Sequence, residues 1–125
     1  VTDSIDGLTG LTKAPGGILL VAVIDDRDDR DNRIIGSVIG GWDGWRGNIY
    51  RLAVAPEHRR EGIARRLVAE ISRELFAKGA MKLSALVEHE HQWAIDFWDS
   101  VRDLGYERDP QFARYIADRR DDAER

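Results

Sequence analysis

Cysteine is absent from the 125-residue chain, which excludes a disulfide framework, cysteine-ligated zinc, iron–sulfur clusters and a thiol nucleophile. No apolar run approaches the roughly 20 residues that a membrane helix needs, and no signal-peptide pattern opens the chain. Neither charge sign dominates: the net charge is −4, too small an imbalance for whole-surface binding to nucleic acid or anionic lipid. Histidine occurs three times, and the pair in His89-Glu90-His91 lacks a third spaced ligand, so no metal site is expected. Together these absences predict a soluble, cytoplasmic, single domain over residues 1–125, large enough to hold a core without staples.

What charge there is lies unevenly. Residues 1–33 carry seven acids, five of them between Asp25 and Asp31, against four bases. Residues 57–82 reverse the sign, with Arg59, Arg60, Arg65, Arg66, Arg73, Lys78 and Lys82 opposing four glutamates. A local basic segment in an acidic chain suits a small anionic ligand, although a solvated helix face of mixed charge gives the same counts.

Hydrophobic periodicity orders the rest. Val1 to Ala14 shows no period, and Pro15-Gly16-Gly17 is a turn signal, so residues 1–17 are expected to be irregular. Ile18–Ile24 is a β-branched run of strand length. The charged Asp25–Arg33 stretch reads as a hairpin loop. A second strand spans residues 34–42, its glycines marking a bulge or a close backbone approach. Asp43-Gly44 fits a tight turn, and a third strand runs from about Asn48 to Val54 before Pro56. Ile63, Leu67, Ile71 and Leu75 recur at i+4 with Ala64, Val68 and Phe76 beside them, predicting a four-turn amphipathic helix that Gly79 stops. Met81–Glu88 returns to strand. His91–Leu104 is a second helix, with Trp93, Phe97 and Val101 on its apolar face and Gly105 at its end. Tyr106–Glu107 and Gln111–Ala117 read as two short strands, and residues 118–125 as a charged tail. The expected order is β-β-β-α-β-α-β-β, an α/β (α+β) domain.

The segment from Tyr50 to Leu67 carries chemistry. It is a strand, a short loop and a helix whose first turn holds Gly62 and Ala64 in place of bulky side chains. Free amides and the macrodipole make such a helix start an anion site, and Arg59 and Arg60 add charge at its entrance. It is not a Walker loop, since no Gly-Lys-Ser/Thr follows, nor a dinucleotide fingerprint, which needs three glycines and a later acid.

Arg59-x-x-Gly62-x-Ala64 after a Leu52-x-Val54 strand end resembles the acyl-CoA motif of the GNAT superfamily of N-acetyltransferases, Gln/Arg-x-x-Gly-x-Gly/Ala. Trp93-Ala94-Ile95-Asp96-Phe97-Trp98 and Leu104-Gly105-Tyr106 are similar to its Ala-x-x-Phe-Tyr…Gly-Phe/Tyr signature, so the likeness covers about residues 18–117. The resemblance implies a mixed, mostly antiparallel twisted sheet with helices on its faces, the family's first strand and helices being largely missing here. It implies acetyl-CoA as co-substrate, without a metal. The strand at 48–54 would splay from that at 82–88, and pantetheine would lie in the gap against the backbone of Leu52, Ala53 and Val54. The amide of Val54 would stabilise the thioester oxyanion. Amides from Arg59 or Arg60 through Glu61, Gly62, Ile63 and Ala64 or Arg65 would cradle the pyrophosphate.

This chain departs from the family pattern at two positions. Trp98 stands where a tyrosine commonly protonates the leaving thiolate, and an indole N–H supplies no proton; Trp98 would pack against the cofactor. His91 replaces a common asparagine and would hydrogen-bond pantetheine. The base that keeps the acceptor amine neutral is sought among Glu88, Tyr50 and Asp43, with His89 behind them. Tyr50 is expected to share a strand face with Leu52 and Val54. Trp42, Asp43 and Trp45 crowd one hairpin as a candidate acceptor wall or dimer contact.

The implied activity is transfer of an acetyl group to a primary amine of a small-molecule or peptide acceptor by direct attack in a ternary complex. A non-catalytic acyl-CoA-binding module is the alternative, and a nucleotide-binding regulatory domain a distant third. No nucleic-acid or membrane partner is expected, and a homodimer is compatible with the hairpin tryptophans or the last strand.

Overall fold

Apolar alternation and glycine spacing assemble the sheet. A computed structural model describes residues 5–24 and 33–119, so the acidic run at Asp25–Asp31 and the end of the charged tail lie outside the described residues. Helix α1 (Ile5–Lys13) precedes strands β1 (Gly17–Ile24), β2 (Arg33–Trp42) and β3 (Gly47–Val54). A 3-10 turn at Pro56–His58 leads into α2 (Ile63–Lys78), followed by β4 (Leu83–Ala85), α3 (Gln92–Ser100) and a 3-10 turn at Arg102–Leu104. The sheet runs β1-β2-β3-β4. Its first three strands are antiparallel neighbours, and β4 joins β3 in parallel. No helix among the described residues is long and apolar enough to cross a membrane.

The i+4 stripe predicted for 63–75 is the centre of the core. Leu67, Ile71 and Leu75 of α2 pack with Val38, Ile49, Val54 and Ile18 from the sheet. Complete burial of Ile71, Leu75, Val38 and Val68 contributes about 1.5–3 kcal/mol per side chain before entropy is counted. Phe76 falls outside the stripe and is half exposed. Gly79 ends α2 in the left-handed region at φ 118°, its N–H reaching the carbonyls of Leu75 and Phe76. The β2 glycines serve close approach: a Cβ on Gly40 would lie 2.7 Å from Cδ1 of Ile71.

Helix α1 packs on β1 and β2. The structure therefore corrects the expectation that residues 1–17 are irregular. Gly7 and Gly10 depress local helix propensity, so packing on the sheet supports the helix. The two final strands are a second correction, because residues 106–119 form no strand. Side-chain pairs hold the start of this segment to α3 and the turn after it. Arg108 grips Asp99 through two bonds of 2.9 and 2.6 Å, and Arg102 reaches Glu107 at 3.3 Å. Asp109 then accepts the Gln111 N–H in a turn at Pro110. β4 is only three residues long, a short edge on which to add strands.

Gly40→Val should force β2 away from α2 and destabilise the chain by about 1–3 kcal/mol, the usual range for overpacking. Urea unfolding of the two proteins measures this, and an unchanged midpoint would remove Gly40 from the packing account.

Candidate active site

The β3–β4 ladder pairs Gly47 with Leu83, Asn48 with Ser84 and Ile49 with Ala85, and stops there. At that level β3 carries an irregularity: Arg51 is opposite Ile39 and Ile49 opposite Gly40, leaving Tyr50 as an extra residue. Such a bulge bends its strand and increases its twist. Past it, Tyr50–Leu52 and Leu86–Glu88 diverge as the walls of a cleft of about 360 Å³, closed at the side by His91, Trp93, Ala94 and Trp98.

The bulge also changes which way side chains point. Ile49, Leu52 and Val54 all join the core cluster, at spacings of three and then two residues. Tyr50, 43% exposed, lies instead over Gly41 near Leu11, on the α1 face. The expectation that Tyr50 shares a face with Leu52 and Val54 is thus corrected, although Tyr50 still lines the cleft.

The loop from β3 to α2 reaches the helix through left-handed backbone. Arg60 and Gly62 both adopt the left-handed region, at φ 67° and 82°. A Cβ on Gly62 would meet nothing within 4 Å, so the space over the helix start is open. No side chain caps α2 and no acid sits in its first turn, which leaves the amides of Ile63, Ala64 and Arg65 without intrahelical partners. Two of the arginine side chains, Arg59 and Arg65, are otherwise engaged. The guanidinium of Arg65 forms a two-point pair with Asp103, and this pair lowers the Asp103 carboxyl below its ordinary range. Arg59 donates through Nε to the Val54 carbonyl at 3.3 Å and stacks 4.3 Å above the Trp93 ring. Glu61 takes His58 Nδ1 at 3.1 Å.

The cleft brings Tyr50, Leu52, Glu88, His91 and Trp98 together. Val54 lies beyond its lining, 4% exposed. Trp98 stands edge-on to Phe97 and Tyr106, at 5.5 and 5.1 Å between centroids. Tyr106 shares a 2.5 Å hydrogen bond with Ser72, and burial pushes its hydroxyl pKa up. Trp42, Asp43 and Trp45 are not in the cleft lining; they sit at the far end of the β2–β3 hairpin, before the strands diverge. Trp42 packs against the core, while Trp45 is exposed and covered by Arg46 at 4.1 Å. Asp43 Oδ1 accepts the N–H groups of Arg46 and Trp45, at 2.7 and 2.8 Å, which hold its carboxyl below the ordinary range. Sequence reasoning missed Arg51, Leu86 and Val87 as cleft walls, and Trp93 as the partner of Arg59. Trp93 shared the helical period of the core face, and nothing local marks a stack between residues 34 positions apart.

The acetyltransferase (GNAT) family pattern matches residues 6–106, and the chain belongs to that family. An acetyltransferase of Yersinia pestis (strain Pestoides F) is 37% identical over 68 residues, 54% of this chain and 48% of the relative. The chain thus spans about half the length of the curated relatives it matches. Among solved structures, an aminoglycoside acetyltransferase from an uncultured soil metagenomic sample, in complex with sisomicin, covers 94% of this chain and is itself covered to 77%. Its TM-score is 0.65 at 19% identity. AAC(6')-Iy in complex with the bisubstrate analogue CoA-S-monomethyl-acetylneamine covers 90% of this chain and is covered to 76%, with a TM-score of 0.67 at 18% identity. These likenesses show the shared fold.

Asp43 sets a pH test for the hairpin. Its depressed pKa means that the turn's stabilisation is complete above the ordinary aspartate value of about 3.9 and is lost as pH falls through the lower folded value. The Tm difference between the parent and Asp43→Ala should therefore hold from neutrality to about pH 4 and shrink below it. A difference independent of pH would contradict the role of the ionised carboxylate.

Proposed function

We propose that the chain is an acetyl-CoA-dependent N-acetyltransferase domain whose acceptor is a primary amine. The observation that carries this reading is the cleft where β3 and β4 part, beside the uncapped start of α2. An acyl-CoA fits both features. The β3–β4 ladder ends at Ile49 and Ala85, leaving the facing edge of Leu52, Ala53 and Val54 without a strand partner for pantetheine amides. The open space at Gly62 admits a pyrophosphate to the amides of Ile63, Ala64 and Arg65.

Bound acetyl-CoA supplies an activated thioester for direct attack by an amine. The chain's part is to hold and polarise it. A backbone amide of the Leu52–Val54 stretch, Val54 in the first instance, faces the developing oxyanion, a fixed dipole that needs no reorganisation. Tyr50 on one wall and Glu88 with His91 on the other border the cleft, and the group that keeps the amine neutral is sought among this lining. The aminoglycoside acetyltransferases of the same fold support a small polyamine-like acceptor. One observation favours a second reading, an acyl-CoA-binding module without turnover: Trp98, which lines the cleft, offers no transferable proton.

Calorimetry with acetyl-CoA, using ATP and 3′-dephospho-CoA as controls, tests the cofactor site. One-to-one binding to acetyl-CoA in preference to ATP is expected, and Gly62→Trp should abolish it, at a cost of about 1–2 kcal/mol in stability from the left-handed backbone at Gly62. Stronger binding of ATP, or none of acetyl-CoA, would overturn the reading. Thiol release with a panel of amines separates the enzyme from the silent binder.

A further inference from the structure

The groups lining the cleft divide sharply by what each can do with a proton. A guanidinium has no atom to accept a proton and an indole N–H only donates, which sets aside Arg51, Trp93 and Trp98. His91 is the one imidazole in the cleft lining, a ring with one nitrogen to donate and one to accept. General acid–base catalysis works best with such a group.

Its imidazole stands exposed at the rim of the cleft, beside the carboxylate three residues earlier. The His91 N–H donates to the Glu88 carbonyl at 3.3 Å, and the His91 carbonyl accepts from Ala94 and Ile95 at 3.0 and 3.1 Å, so its backbone is fixed by the first turn of α3. Its side chain does not cap that helix. Nε2 lies 3.2 Å from Oε2 of Glu88, which leaves Nδ1 as the nitrogen free to meet a ligand. A carboxylate on one ring nitrogen sets the tautomer and the orientation of the other, and stabilises the imidazolium when it forms.

We propose that His91 is the catalytic acid–base of the cleft and that Glu88 is its positioning residue, an assignment that rests on the acyltransfer reading above. As the amine nitrogen bonds to the acyl carbon, His91 Nδ1 accepts the proton that nitrogen sheds. As the carbon–sulfur bond breaks and its electron pair departs on sulfur, His91 returns that proton to sulfur. The protein ends in the state in which it began, with an amide and a thiol formed. Glu88 remains ionised throughout and acts through Nε2. Tyr50 and Arg51 line the opposite wall, and Arg59 stacks on Trp93 of the same helix.

The test uses the full chain with acetyl-CoA, sisomicin as the probe amine, and the variants His91→Asn, His91→Gln and Glu88→Gln. In the parent, kcat/KM should rise with pH through the imidazole midpoint, because the neutral ring accepts the proton. His91→Asn and His91→Gln should both lower kcat/KM by about 10²–10⁴-fold and erase that limb. Glu88→Gln should keep the limb but lower kcat/KM. The ring-nitrogen resonances of His91, followed by NMR without any acceptor, should show a changed tautomer balance in Glu88→Gln, since the carboxylate on Nε2 sets which nitrogen carries the proton. Retention of rate and limb in both His91 variants would overturn the proposal, as would an unchanged His91 tautomer balance in Glu88→Gln. Failure of the parent to bind acetyl-CoA would instead strike the acyltransfer reading itself.

Discussion

Strand β3 has to satisfy two neighbours with different demands, and one extra residue reconciles them. Against β2 it must keep an antiparallel ladder from Gly47 to Val54; against β4 it holds a parallel one for only three pairs. The bulge at Tyr50 lets the first ladder continue while bending the strand where the second ends. Without it, Ile49 and Leu52 could not both face the core, because an unbroken strand puts residues three apart on opposite faces. The cleft is therefore a by-product of core packing: the residue that restores the apolar face also opens the wall.

The helices hold this opening in place. α2 lies close against β2 because Gly36 and Gly40 present no side chains to Ile63, Leu67 and Ile71, and that approach delivers the start of α2 to the end of β3. The surrounding charges pair mostly away from the cleft. Arg65 with Asp103 links α2 to the turn after α3, and Arg59 ties the Val54 carbonyl to Trp93. The exposure of these pairs limits what they add to stability. Their effect is positional: they draw the guanidinium groups of Arg59 and Arg65 aside from the helix-start amides.

Much of this was legible because it rests on local signals. The i+4 stripe of α2 and its Gly79 stop, the first three strands, the open space over Gly62 and the parting of β3 from β4 all reappear in the structure. What was not legible depends on contacts distant in sequence. α1 contains two glycines and no clear period, and it packs on β1 and β2. The strands expected after Tyr106 depend on an edge that β4 barely provides, while Arg108 pairs with Asp99 of α3. Trp42 carries the aromatic character of a binding wall, yet strand alternation with Val38 and Gly40 turns it toward α2. The Tyr50 bulge did leave a trace, in the Ile49–Leu52–Val54 spacing, which breaks the period of two.

The proposed acyl-CoA site joins the parting of β3 and β4 to the start of α2 in one binding surface. Amide chemical-shift mapping with desulfo-CoA, which lacks the reactive sulfur and reports binding alone, tests it most directly. The account predicts that the largest shifts fall together on Tyr50–Val54, Glu61–Arg65 and Val87–His91, saturating with a single affinity. Shifts confined to the Trp42–Arg46 hairpin or to the exposed β1 face, with the cleft amides unmoved, would contradict it.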